Sequence, residues 1–96
     1  MESYEANIGG VPLTAAAIRQ AADILEDAPG NHVRGPLARA GHALAHAPER
    51  DWYHGAYREE IGRFPHLRVR PGSTRDHRAH VKPAVIHYLR RLAGEA

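Results

Sequence analysis

Large apolar side chains are scarce in this chain: Leu, Ile, Val and Phe together supply 18 of 96 residues. A chain of this length holds one domain with one core, and that core must be thin. Alanine supplies a further 17 residues, which favours helices that pack closely and adds little apolar area per residue. Low hydrophobicity leads to disorder when it is combined with high net charge. Here the formal net charge is only +2, so a folded domain is expected. A core this small is often completed by a partner or a second copy, and a homodimer is among the expected assemblies.

Periodicity and punctuation divide the chain. Residues 1–12 contain Gly9-Gly10 and Pro12 without a sustained period and read as a flexible arm or short strand, ahead of a single small helical domain over 13–94. Thr14 is a good N-cap for a first helix, in which Ala17, Ile18, Ala21, Ile24, Leu25 and Ala28 recur at three- and four-residue steps until Pro29-Gly30. A second helix is predicted from Pro36 to Ala47, with Leu37, Ala40, Gly41 and Leu44 inward. A third, from about Glu49 to Arg63, carries Trp52, Tyr53, Ala56, Tyr57 and Ile61, with Phe64 just beyond. It holds most of the aromatic area, which is expected to pack in the core, and Pro65 stops it. Apolar and polar residues then alternate in His66–Arg70 and again in Arg78–Lys82 around the turn residues Pro71-Gly72-Ser73-Thr74, which predicts a β-hairpin over 66–82. The competing reading is one helix from Thr74 to Ala93. Pro83 favours the hairpin, because an interior proline costs a helix about 3 kcal/mol, and a final helix is then expected from Pro83 to a C′ glycine at Gly94. The fold class is mainly α with one β-hairpin, an α+β arrangement of three helices, hairpin and C-terminal helix.

Charge is divided by position. Residues 1–60 hold five Arg against nine Asp and Glu, a balance of −4, whereas residues 61–96 hold eight Arg and Lys against Asp76 and Glu95, a balance of +6. A concentrated positive field bears on partners, drawing in phosphates or acidic proteins. On the predicted hairpin, Leu67, Val69, Ala79 and Val81 point inward, while Arg68, Arg70, Arg78 and Lys82 share the outer face with His80. Arg75 lies at the loop, and Arg90 and Arg91 extend the ribbon along the last helix. Arginine suits phosphate because its planar fork of donors bonds two oxygens at once. The order of helix, helix, helix, hairpin over roughly residues 14–82 resembles a winged helix-turn-helix domain, which implies a wing on the DNA backbone and a preceding helix in the major groove. In that helix Arg50, His54, Arg58 and Arg63 stand among Glu49, Asp51, Glu59 and Glu60, so backbone contact is expected to dominate over base reading. The leading expectation is a nucleic-acid-binding module, with DNA put ahead of RNA, that uses Arg68, Arg70, Arg75, Arg78, Lys82, Arg90 and Arg91. The alternative is an inhibitor, adaptor or antitoxin-like module that binds an acidic protein with the same residues.

Other chemistry is thinly represented. The absence of Cys excludes disulfides, thiolate metal sites and cysteine nucleophiles. No apolar run reaches a membrane span and the first residues lack a signal-peptide pattern, so a cytoplasmic protein without membrane contact is expected. His42 and His46, four apart on the predicted second helix, are the weak candidates for metal ligation, and no metal or other cofactor is expected. Arg75-Asp76-His77-Arg78-Ala79-His80 resembles the Arg-polar-x-x-x-His signature of HEPN-type ribonucleases, which implies an Arg and a His from two copies acting on a scissile phosphate. No catalytic signature names a reaction, so binding is expected ahead of catalysis.

Overall fold

A computed structural model describes residues 4–67 and 77–94. Among these residues the fold is mainly helical, with four α-helices and one two-stranded antiparallel hairpin, the α+β class that the sequence predicts.

The hairpin, however, stands at the N-terminus. Strands β1 (Tyr4–Ile8) and β2 (Val11–Thr14) pair Ile8 with Val11 and Ala6 with Leu13. Gly9 and Gly10 form the two-residue turn at φ 60° and 89°. Positive φ at both centres matches the twist of a hairpin and is open to glycine at little cost. Two strands alone are marginal in water; this pair is held because Ile8 and Leu13 are buried in the core. The turn is wedged against the third helix, where a Cβ on Gly9 would lie 2.9 Å from two ring atoms of Trp52. The backbone N–H of Glu49 donates to the Gly9 carbonyl at 3.0 Å. Pro12 is tolerated because β2 has a partner on one side only.

Helix α1 (Ala15–Asp27) begins where the sequence places it, with the Thr14 hydroxyl accepting from Ala17 N at 3.2 Å. The predicted second helix is split. Helix α2 covers only Arg34–Arg39. Gly41, at φ 70°, turns the chain out of it. His42 N donates to Leu37 O and Gly41 N to Ala38 O, the paired bonds of a glycine C-cap. A 3₁₀ turn at Ala43–His46 follows. Reading Gly41 as a packing residue inside a helix therefore missed a helix stop. Helix α3 (Trp52–Arg63) buries Trp52, Ala56, Tyr57 and Glu60, and a 3₁₀ turn covers Pro65–Leu67. Tyr53, Phe64 and Tyr88 are only half-buried, so the aromatic set is not all core.

The largest correction concerns the basic half. His77–Leu92 is one helix, α4, with Pro83 inside it, so the stretch read as the second hairpin strand is helical and the helix starts before Pro83. His66 and Leu67, read as the start of the first hairpin strand, belong to the 3₁₀ turn, and residues 68–76, the remainder of that reading, lie outside the described residues. Pro83 faces solvent, and its lost hydrogen bond is outweighed by the burial of Val81, Ala84, Val85 and Leu89. Both α1 and α3 pack on this helix. Gly94, at φ 83°, ends it as expected. With the hairpin first and a helix over 77–92, the described residues do not have the winged-helix order, in which the hairpin follows the third helix.

Candidate functional site

Of the seven cations nominated by the sequence, Arg68, Arg70 and Arg75 lie outside the described residues. Arg78 lies in the first turns of α4, and its side chain is also outside the description. The other three are engaged inside the fold. Lys82 is buried, and its ammonium donates to the carbonyls of Ala28 at 2.5 Å and Gly30 at 2.9 Å. The first is the C-cap residue of α1, whose end carries an unsatisfied carbonyl and partial negative charge. Arg90 pairs with Asp23 at 3.0 Å and with Glu26. Arg91 donates from Nε and Nη2 to Glu60 Oε1 at 3.0 and 2.6 Å. Carboxylates of the acidic half thus take up the end of α4, and these three residues brace helices instead of forming an outer basic surface.

Glu60 is the acceptor at the centre of that bracing. Its residue is fully buried, and its second oxygen accepts from His87 Nδ1 at 2.7 Å. The Phe64 ring lies edge-on to His87, with centroids 4.6 Å apart. Arg91 also sits over the Tyr88 ring at 5.6 Å. The bond to Glu60 raises the Arg91 pKa, and burial followed by the nearby Glu59 carboxylate raises that of the Tyr88 phenol. Glu60 is therefore not a carboxylate that would repel phosphate from the face of α3, as the sequence reading supposed. It stands four residues after Ala56 and eight after Trp52, on the buried stripe, and that position was the available signal.

His42 is likewise structural. Its Nδ1 accepts from Leu44 N at 3.2 Å, which makes Nε2 the donor to Ala17 O at 2.9 Å. Both ring nitrogens are occupied, while His46 is exposed. Among the described residues no group of three His, Asp or Glu side chains converges as a metal site would require. No described helix is long and apolar enough to cross a membrane.

What the sequence reading missed is a cleft between the α1–α2 loop, α2, the first turn of α3 and the start of α4. It encloses about 450 Å³. Asn31, His32, Arg34 and Arg39 contribute polar groups to the lining, Tyr53 and His54 contribute rings, and Val33, Gly35 and Val81 complete it. Among the described residues no carboxylate lines it. Arg34 is anchored by a bond from Nε to Ala45 O at 3.0 Å, which leaves its terminal nitrogens for other acceptors. Arg39 is exposed, and a Cβ on Gly35 would lie 3.5 Å from its Nη1. Among the described residues the side chains of Arg39, His32 and His54 have no hydrogen-bond or ion-pair partner. Tyr53 donates its hydroxyl to Asp51 Oδ1 at 3.1 Å and is set edge-on to Trp52, with its centroid 4.7 Å from that of His54. Burial and the Asp51 bond raise the Tyr53 pKa, against an opposing pull from Arg50 and Arg34.

The sequence did carry a signal for this cleft. Between Asp27 and Glu49 there is no Asp or Glu, and the stretch holds Arg34, Arg39 and three histidines. The negative total for residues 1–60 concealed it. The chain matches no protein-family model, no curated protein and no solved structure, so the chemistry of these residues carries the functional argument.

Proposed function

We propose that this protein is a nucleic-acid-binding module that grips backbone phosphates. The observation that carries the reading is the cleft, lined by no carboxylate among the described residues, where Arg34 and Arg39 bring two permanent positive charges to a recess with His32 and His54. A phosphodiester gives a guanidinium two oxygens to bond in parallel, and it meets no opposing charge on this lining. Arg78 stands three residues before Val81, which contributes to the wall. The sequence from 68 to 78 carries Arg68, Arg70 and Arg75 as further candidates for contact. Lys82, Arg90 and Arg91 leave the proposed contact set, since each is held by acceptors within the chain.

Fluorescence anisotropy titrations against labelled oligonucleotides at several salt concentrations test the proposal. Affinity should fall steeply with salt, because each neutralised phosphate releases counterions. Arg39→Gln should flatten the logarithmic dependence by about one unit of slope. Binding that ignores both salt and this substitution would refute the reading. A stoichiometric acidic protein co-purifying in place of nucleic acid would replace it with the protein-partner alternative.

A further inference from the structure

We infer that the cleft holds a single nucleotide unit, base and phosphate together, so that the nucleic acid it accepts is single-stranded. This deepens the nucleic-acid reading and rests on it for the source of the nucleotide. Three features point beyond a bare phosphate site. First, a volume of about 450 Å³ is in the range of pockets that enclose a small organic ligand, whereas a lone phosphate contact needs no recess of this size. Second, the lining is mixed: beside the guanidinium groups of Arg34 and Arg39 it presents the rings of Tyr53 and His54 and the apolar Val33 and Val81. Aromatic and apolar walls offer nothing to a phosphate, but they are what a base stacks on. Third, the Tyr53 ring is fixed before any ligand arrives. Its hydroxyl is bonded to Asp51, and its flanks meet Trp52 and His54, so little rotamer freedom is lost when a base packs on it.

Asn31 adds a side-chain amide with both donor and acceptor, the complement of a base edge. In a duplex the bases are stacked and paired inside, so only the backbone can approach such a recess. An unpaired nucleotide can enter it whole. The unit can come from a strand or from a free mononucleotide, and the two sources share this chemistry.

The test uses the full chain in three titrations: adenosine monophosphate, inorganic phosphate, and matched single-stranded and duplex oligonucleotides, with the His32 and His54 side-chain resonances as the local readout. The mononucleotide should move both histidines and bind at least about tenfold more tightly than phosphate. Single strand should be favoured over duplex by a similar factor. Tyr53→Leu, which keeps an apolar side chain but removes the ring, should weaken the mononucleotide about tenfold and leave phosphate unchanged. Arg39→Gln, at an exposed position where folding is not at risk, should weaken both. Equal affinities for mononucleotide and phosphate, or for single strand and duplex, would overturn the inference. Oligonucleotides that bind without disturbing His32 and His54 would also overturn it while leaving the nucleic-acid reading in place. A mononucleotide that fills the cleft when no oligonucleotide binds would keep the site and remove the nucleic-acid reading.

Discussion

The end of α4 and the cleft beside α2 are both rich in cations, yet they use them in opposite ways. At the end of α4, Arg90 meets Asp23 and Glu26, and Arg91 meets the buried Glu60. Their charge is spent on holding α1, α3 and α4 together. Beside α2, Arg34 has only a backbone carbonyl on Nε, and Arg39 has no partner among the described residues. In the positive half Lys82, Arg90 and Arg91 are engaged within the fold, and the cations of the open recess, Arg34 and Arg39, belong to the negative half. Formal charge counted along a chain thus measures supply, while the field available to a ligand depends on what the fold leaves unpaired.

That contrast breaks most sharply at Glu60. Glu60→Ala leaves Arg91 and His87 without their shared acceptor; since both reach partly into solvent, the expected loss is roughly 2–4 kcal/mol in a urea melt. Oligonucleotide affinity of the folded fraction should not change. If it rose, Arg91 released from its pair would be a latent contact and the division between bracing and binding cations would fail.

Lys82→Met comes next. It takes a charged donor from the half-buried Ala28 and the exposed Gly30, at about 1–3 kcal/mol, again read in urea. The salt slope of binding should be untouched, because a buried ammonium counts for no phosphate.

On the binding side, Arg34→Gln combined with Arg39→Gln should lower the salt slope by about two units. For Arg39 alone, stability should shift by no more than about 0.5 kcal/mol, the usual size for an exposed site. Arg90→Gln is the control. It removes pairs to the exposed Asp23 and Glu26, each worth under about 1 kcal/mol, and should leave the slope as it was.

The smallest effect is in alkaline solution. Tyr53 and Tyr88 both hold their protons above the ordinary value of 10.0. Folding therefore favours the protonated phenols, and their contribution to stability is complete below that pH. It is lost as pH rises through the higher folded values. Tyr88→Phe should delay alkaline unfolding followed by circular dichroism; an identical midpoint would mean that the Tyr88 hydroxyl is not desolvated in the folded chain.

Legibility in the sequence followed the range of the interactions. Helices α1 and α3, the Thr14 cap and the glycine stop at Gly94 depend on neighbours within a few residues, and the pattern carried them. The hairpin is poorly legible because Gly9-Gly10 fits a loose arm as well as it fits the tight two-residue turn between Ile8 and Val11. Arg78–Lys82 was misread because five residues fit either period. Only the packing of Val81, Val85 and Leu89 on two other helices, remote in sequence, decides for the helix over the objection of Pro83. The pairing of Glu60 with Arg91 spans 31 residues, and nothing local announces it. The cleft was hidden for a related reason: its walls come from four segments, and its acid-free stretch was averaged into an acidic total.

The Lys82 ammonium has one further consequence. It joins α4, next to Val81, to Ala28 and Gly30, next to Asn31, so the segments that carry Val81 and Asn31 cannot part unless a buried cation is first withdrawn from two carbonyls.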